Sequence, residues 1–246
     1  MKDKNENFTN YTRMPATKRK GTSLASSRPL KRRSAIKRTY SGATARKLPM
    51  SVDHQLLRTR QNVVLRYHET FSINPGVGGL PGYYTFRSNS CFDPNYTGVG
   101  HQPRGYDQIM AMYTYLAVRE AQIEIWFQPT DGAPCILSIA SGSDVTSGTP
   151  NRDGIMEQAT AVFGKAGGIS AAGPGYVSMR VKPWELAGTK LDENDYKHLS
   201  TGNPIITQFF NVHAMPLEIS DAGDISCVAR ITYNCQVTEP KTPGSS

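Results

Sequence analysis

The residues of this chain that could carry reactive chemistry are five histidines, four cysteines and two small-residue segments. Those that could hold a polyanion are Lys/Arg clusters near its start. His54, His68, His101, His198 and His213 nowhere fall at HxH or HxxxH spacing, and none recurs beside a carboxylate as a zinc or general-base site requires. Gly100-His101-Gln102-Pro103 invites a catalytic or metal-binding reading. A loop histidine, hydrogen-bonded to backbone or placed at a subunit contact, is the better one. Cys91, Cys135, Cys227 and Cys235 form neither the paired CxxC of structural zinc nor a dense disulfide pattern. The glycines between Gly76 and Gly82 lack the GK[ST] or GxGxxG of a phosphate loop. Ser141-Gly142-Ser143-Asp144 lacks the strand-turn-helix setting of a nucleophile elbow. Asp93-Pro94-Asn95 reads as a turn whose carboxylate accepts backbone N–H groups while Pro sets φ. No catalytic set emerges, so an enzyme is not expected, and neither is a metal or cofactor.

The basic clusters are a stronger signal. The 246 residues carry 28 Lys/Arg against 20 Asp/Glu, a net charge of +8, and a pI near 9.3. Residues 1–48 hold 14 of those cations against Asp3 and Glu6, so the arm carries +12 and the rest of the chain 8 − 12 = −4. The run Arg13, Lys18, Arg19, Lys20, Arg28, Lys31, Arg32, Arg33, Lys37, Arg38, Arg46 and Lys47 is interrupted by no acidic residue. Flexible Lys/Arg of this kind neutralise phosphates and release counterions without reading sequence. Tyr11 and Tyr40 are too sparse for base stacking. Lys18-Arg19-Lys20 and Lys31-Arg32-Arg33, ten residues apart, have the form of a bipartite nuclear import signal that engages a host import carrier. Arg58 and Arg60, with Arg66, are candidates for ordered nucleic-acid contact where the arm meets the body, although solvated or ion-paired roles suit them equally.

Such an arm is too poor in apolar residues to offset ordering entropy, so a disordered segment over 1–48 is expected, with one domain over 49–246. Leu24, Leu30 and Ile36 are isolated, which excludes a secretory h-region. Pro15, Gly21 and Pro29 interrupt the helix a mitochondrial presequence needs. No run reaches 18 apolar residues, so no membrane insertion is expected.

The body alternates with period two. Val63, Leu65, Tyr67, Phe71 and Ile73 take one face of a strand over 62–73; Ile225, Cys227, Ala229, Ile231, Tyr233, Cys235 and Val237 take one face of an unusually long strand over 225–238. Further strands are expected at 82–89, 114–128, 134–141, 157–164, 175–183 and 204–215, with short helices near 105–112 and 185–187. Eight strands, long Gly/Pro loops and no βαβ rhythm predict an all-β fold: a single eight-stranded jelly-roll sandwich. A closed barrel or immunoglobulin-like sandwich is the alternative.

The segment from Arg87 to Gln108 resembles capsid proteins of the circular, Rep-encoding single-stranded DNA viruses, the circovirus-like group. The matching features are the Asn89-Ser90 strand end, the Asp93-Pro94 turn, the glycine-bearing stretch to Gly100, His101-Gln102-Pro103, and the Tyr106-Asp107-Gln108 helix start. A basic arm followed by one β-sandwich follows the same plan, although this chain opens with a mixed Met1–Thr12 and uses Lys freely.

The resemblance implies a subunit that assembles with itself, about 60 copies in a T=1 icosahedral shell, around a circular single-stranded DNA genome. Localisation would be the virion, and the host nucleus during assembly; a host receptor would be unidentified. Sixty arms would bring about 720 positive charges inside. A coat protein of a small RNA virus remains an alternative, as does a nuclear nucleic-acid-binding regulator, against which the −4 of the body argues.

Overall fold

The computed structural model describes residues 57–76, 80–130, 133–145, 151–167, 173–217 and 223–242. Residues 1–48, and every assignment made within them, lie outside it. Eight strands form two antiparallel sheets. They are β1 (Arg60–Ile73), β2 (Gly82–Arg87), β3 (Tyr113–Pro129), β4 (Cys135–Gly142), β5 (Val162–Ala166), β6 (Gly175–Val181), β7 (Phe209–Pro216) and β8 (Ile225–Pro240). The strand orders are β1-β8-β3-β6 and β2-β7-β4-β5. Consecutive strands thus fall mostly in opposite sheets, and the first and last pair side by side. This is jelly-roll connectivity. Two open sheets with edge strands rule out a closed barrel.

Alternation explains the first sheet. Every odd position of β8 from Ile225 to Val237 is buried, and Leu65, Tyr67, Phe71 and Ile73 of β1 join them in the core. Phe71 packs its ring 4.3 Å from Tyr84 and 5.3 Å from Phe86 across the sandwich. β3 changes phase at a β-bulge between Val118 and Glu120. Upstream Leu116 and Val118 are buried; downstream Ala121, Ile123, Ile125 and Phe127 are. The extra residue, Arg119, turns outward.

The second sheet shows no alternation in β7, where all eight residues are buried. Phe210, Val212 and Ala214 face the core, and the opposite face is covered as well. There Met215 packs with Ile136, Ile155 and Met156, the last two from helix α2 (Arg152–Met156). Two more short helices are α1 (Tyr106–Met112) and α3 (Pro183–Leu186).

Several expected boundaries move. Residues 204–208 are loop, and the strand begins only at Phe209, because the Asn89 side chain takes the Gln208 N–H on its Oδ1 and donates its Nδ2 to Ile206 O outside the ladder. The stretch expected as strand 157–164 contributes only its end to β5. The helix α2 before it begins at an Asn151 side chain accepting the Gly154 N–H at 2.8 Å, an N-cap the strand reading overlooked. β2 stops at Arg87, two residues early: Ser88 N–H still bonds to Gln208 O, but the Gln208 N–H goes to the Asn89 side chain. The helix near 185–187 starts at Pro183, whose fixed φ suits a first turn.

Ile123 faces Ile231 across the β3/β8 pair, and both are fully buried. Ile123→Ala is expected to cost about 3 kcal/mol in urea unfolding, whereas Gln122→Ala, on the outward face, should change stability by under about 0.5 kcal/mol.

Candidate functional site

The segment from Arg87 to Gly105 folds into one hydrogen-bonded loop between β2 and α1. Its hub is Arg87, the last residue of β2. Its Nη1 donates to Asp93 O at 2.9 Å, Asp93 Oδ2 at 2.8 Å and Asn95 O at 3.3 Å. Its guanidinium lies 5.0 Å from the Tyr96 ring centroid, and its own carbonyl accepts the Tyr233 hydroxyl at 2.7 Å. One side chain therefore holds both sides of the Asp93-Pro94-Asn95 turn and, through its backbone, the central strand β8.

Two sequence expectations change here. Asp93 takes the Arg87 guanidinium, and the side chain that accepts a backbone N–H is Asn95, whose Oδ1 receives Thr97 N at 3.0 Å. Asn95 is the shorter path back to its own chain two residues on. His101 is exposed, and what holds it is ring packing: its imidazole lies 4.8 Å from the Tyr67 ring. Gly100 is required where it stands, since a Cβ there would come within 2.6 Å of Tyr67 Oη and of the Asn95 Cβ.

The other end of the motif is pinned to the segment before β7. Asn89 Nδ2 donates to Ile206 O at 2.8 Å while its Oδ1 accepts Gln208 N at 2.9 Å, and Ser90 Oγ donates to Asn203 Oδ1 at 2.7 Å. Pro103 O accepts the Tyr106 N–H at 3.0 Å, which starts α1 after Gly105 in a left-handed conformation with φ 88°. Tyr106 is fully buried; Asp107 and Gln108 are exposed on the first turn, and Gln102 is half-buried. Asn89, Asp93, Pro94, Gly100, His101, Gln102 and Pro103 thus lie in the loop, and Asp107 and Gln108 on the first turn of α1.

Arg13, Lys18, Arg19, Lys20, Arg28, Lys31, Arg32, Arg33, Lys37, Arg38, Arg46 and Lys47 lie outside the described residues. Arg60 opens β1 and pairs with Asp192 at 3.1 Å, both side chains being more than half exposed, an arrangement worth little. The Arg58 carbonyl accepts the Tyr113 hydroxyl at 3.1 Å.

Reactive groups are muted. All four cysteines are buried; Cys91 and Cys235 lie Sγ to Sγ at 3.6 Å, and burial raises the Cys91 thiol pKa and lifts that of Cys227 to about 12. Thiols so held are poor nucleophiles. Among the described residues no three His, Cys, Asp or Glu gather as a metal site. Burial lowers His198 and His213 to about 4. His198 stacks on Tyr106 and is next to the Leu199 carbonyl (Nδ1 to O 3.1 Å), with Nε2 unpartnered. Both His213 ring nitrogens and the Ser138 Oγ opposite it are unpartnered too.

Sequence reading missed two features. One is Arg87 itself, whose position ending an aromatic strand before Asp93 was the available signal. The other is an open groove of about 590 Å³ on the outward face of the β1-β8-β3-β6 sheet, lined by Asn62, Val64, Arg119, Glu120, Lys182 and Trp184 among others. It forms because the bulge at Arg119 leaves that carbonyl free to accept Trp184 Nε1 at 3.0 Å, and Val118 O to accept the Tyr196 hydroxyl.

No family model and no curated protein sequence matches the chain. Among solved structures it is similar to the BFDV capsid protein in its 60-mer, at 14% identity over 77% of this chain and 100% of that one, TM-score 0.42. It is also similar to a chain of the giant freshwater prawn Macrobrachium rosenbergii nodavirus VLP, at 10% identity over 76% and 97%, TM-score 0.44. A chain of Turnip Yellow Mosaic Virus aligns at 8% identity over 76% and 99%, TM-score 0.40. The jelly-roll assignment itself rests on strand order and register.

Arg87→Gln leaves the half-buried Asp93 and two carbonyls without their cation and is expected to cost about 2–3 kcal/mol in thermal or urea unfolding. The buried histidines set a pH dependence. Their folded pKa lies below the unfolded 6.5, so the unfolded chain binds more protons in acid; stability is complete above pH 6.5 and is lost as pH falls toward about 4. His213→Gln should flatten the fall of the urea midpoint across that window.

Proposed function

We propose that this chain is a viral capsid subunit that closes with about sixty copies into a T=1 shell and packages circular single-stranded DNA through residues 1–48. The observation that carries the reading is a +12 segment joined directly to a jelly roll whose own balance is −4. Jelly rolls serve many tasks, so the fold alone does not choose among them. Charge divided in this way does. A body that must pack against its own copies gains from a low net charge, while an arm that meets a polymer of phosphates gains from a high one.

The motif loop supports the same reading through its construction. A subunit that must present fixed surfaces to several neighbours needs its longest connections held rigid, and Arg87, Asn89, Ser90 and Asn95 spend their hydrogen bonds on that. In the arm, Lys18-Arg19-Lys20 and Lys31-Arg32-Arg33 serve as a bipartite import signal toward the host nucleus. The same cations with Arg58 and Arg60 bind the genome inside the virion.

Expression of the full chain should yield particles by electron microscopy that co-elute with nuclease-protected nucleic acid, with an elevated 260/280 absorbance ratio that deletion of residues 1–48 removes. Protein that stays monomeric and nucleic-acid-free across salt and pH would sink the reading. Protected RNA from infected material in place of circular DNA would move it to an RNA-virus coat. Binding of single-stranded oligonucleotides by the arm should weaken about 10³-fold between 50 and 200 mM salt.

A further inference from the structure

We propose that the outward face of the β1-β8-β3-β6 sheet is a stacking platform for single-stranded nucleic acid, centred on Tyr176, Trp126 and Arg230. This rests on the capsid reading, which supplies the polymer. The chain has two tryptophans. Both stand on this side of the molecule: Trp126 at an outward position of β3, and Trp184 against the outward residues Val64, Glu120 and Asn234. A merely solvated sheet face has no use for either.

The planar groups are held in advance. Val228, Trp126 and Tyr176 form one cross-strand row. The Trp126 and Tyr176 ring centroids are 5.5 Å apart, and the Arg230 guanidinium lies 5.3 Å from the Trp126 centroid. Glu124 fixes both neighbours, since its Oε1 accepts the Tyr176 hydroxyl at 3.2 Å and its Oε2 lies 2.8 Å from Arg230 Nη2. Tyr176 stays 47% exposed, so an aromatic and a guanidinium plane are open to a base at little ordering cost.

Charge on this face has the sign a phosphodiester needs. Arg66, Arg119, Arg180, Lys182 and Arg230 stand against Glu120, Glu124 and Glu185, five cations to three carboxylates, on a body whose total is −4. Arg66 and Arg119 have no carboxylate partner among the described residues. β1, which follows the arm in sequence, is an edge strand of this same sheet. Stacking of this kind tolerates any base, which matches a genome bound along its length.

The tryptophans themselves report the result, because the arm contains none. Titrating the full chain with oligo(dT) is expected to quench tryptophan emission by about a third or more, whereas inorganic polyphosphate of equal charge, which occupies the arm but cannot stack, should change it by less than about a tenth. Tyr176→Ser, at an exposed position, should reduce the oligo(dT) response at least about twofold while arm-driven binding persists. Equal quenching by the two polymers, or an unchanged response in Tyr176→Ser, would overturn the inference. So would a blue shift of the emission on nucleic-acid-free assembly, which would place a second copy of the chain on this face. Particles that package nucleic acid yet show no oligo(dT)-specific quenching reject the platform alone; absence of particles and of protected nucleic acid rejects the capsid reading itself.

Discussion

The structure depends on β8 lying between β1 and β3. Fourteen register pairs run from Arg60 opposite Thr238 to Ile73 opposite Ile225, and β3 follows the other edge of β8 from Tyr113 to Pro129. With its odd side chains all buried, β8 can occupy only one register, since a slip of one residue would turn Arg230 and Asn234 into the core. The first and last strands are thereby joined, and the sheet cannot be complete until the final quarter of the chain is in place. Pairing of such sequence separation makes slow folding the natural consequence.

The same strand anchors the loop between β2 and α1. Tyr233 reaches out of the core to the Arg87 carbonyl, and Cys235 meets Cys91 just beyond it. The loop from Ser88 to Gly105 is therefore tied at its base to the central strand, at its turn by Arg87, and at its flank by the bonds of Asn89 and Ser90 to the segment before β7. A long connection is made rigid by polar contacts that are shielded from water, which is where a charge-assisted hydrogen bond contributes most. Burial has a cost elsewhere, in His198 and His213, whose pKa it lowers to about 4 so that they stay neutral near pH 7.

The two faces of the sandwich have different tasks. On the β2-β7-β4-β5 side the outward face of β7 is covered piecewise, Met215 by α2, Asn211 by the Asp144 carbonyl and Phe209 by the Tyr96 ring, and the surface is made by the covering segments. On the other side the sheet itself is the surface, with its Arg–Glu pairs, aromatic row and groove in view. Partly buried Glu120 and Glu124 pair with the exposed Arg180 and Arg230, contacts that fix where guanidinium groups lie.

The sequence by itself determined what is written in local period and local charge. Alternation over 225–237 marks a half-buried strand whatever its neighbours, and twelve cations without an acidic residue mark a strongly basic segment whatever the fold. The order Asn89, Asp93-Pro94, Gly100-His101 and Tyr106 identified a loop as a unit, because its turns are made by adjacent residues. Tertiary structure alone decided matters that depend on partners distant in the chain. Residues 204–208 look like strand but are diverted by Asn89; the phase change in β3 needs a bulge against β8; β7 loses its alternation because α2, Tyr96 and the Asp144 carbonyl meet Met215, Phe209 and Asn211 on its second face. The Arg87 carbonyl met Tyr233, and Val228, Trp126 and Tyr176 became one row with Arg230 beside it, only when strands fifty or more residues apart in sequence were set in register. Side-chain type sets the interactions that are possible, and the ladder of backbone hydrogen bonds chooses which of them meet.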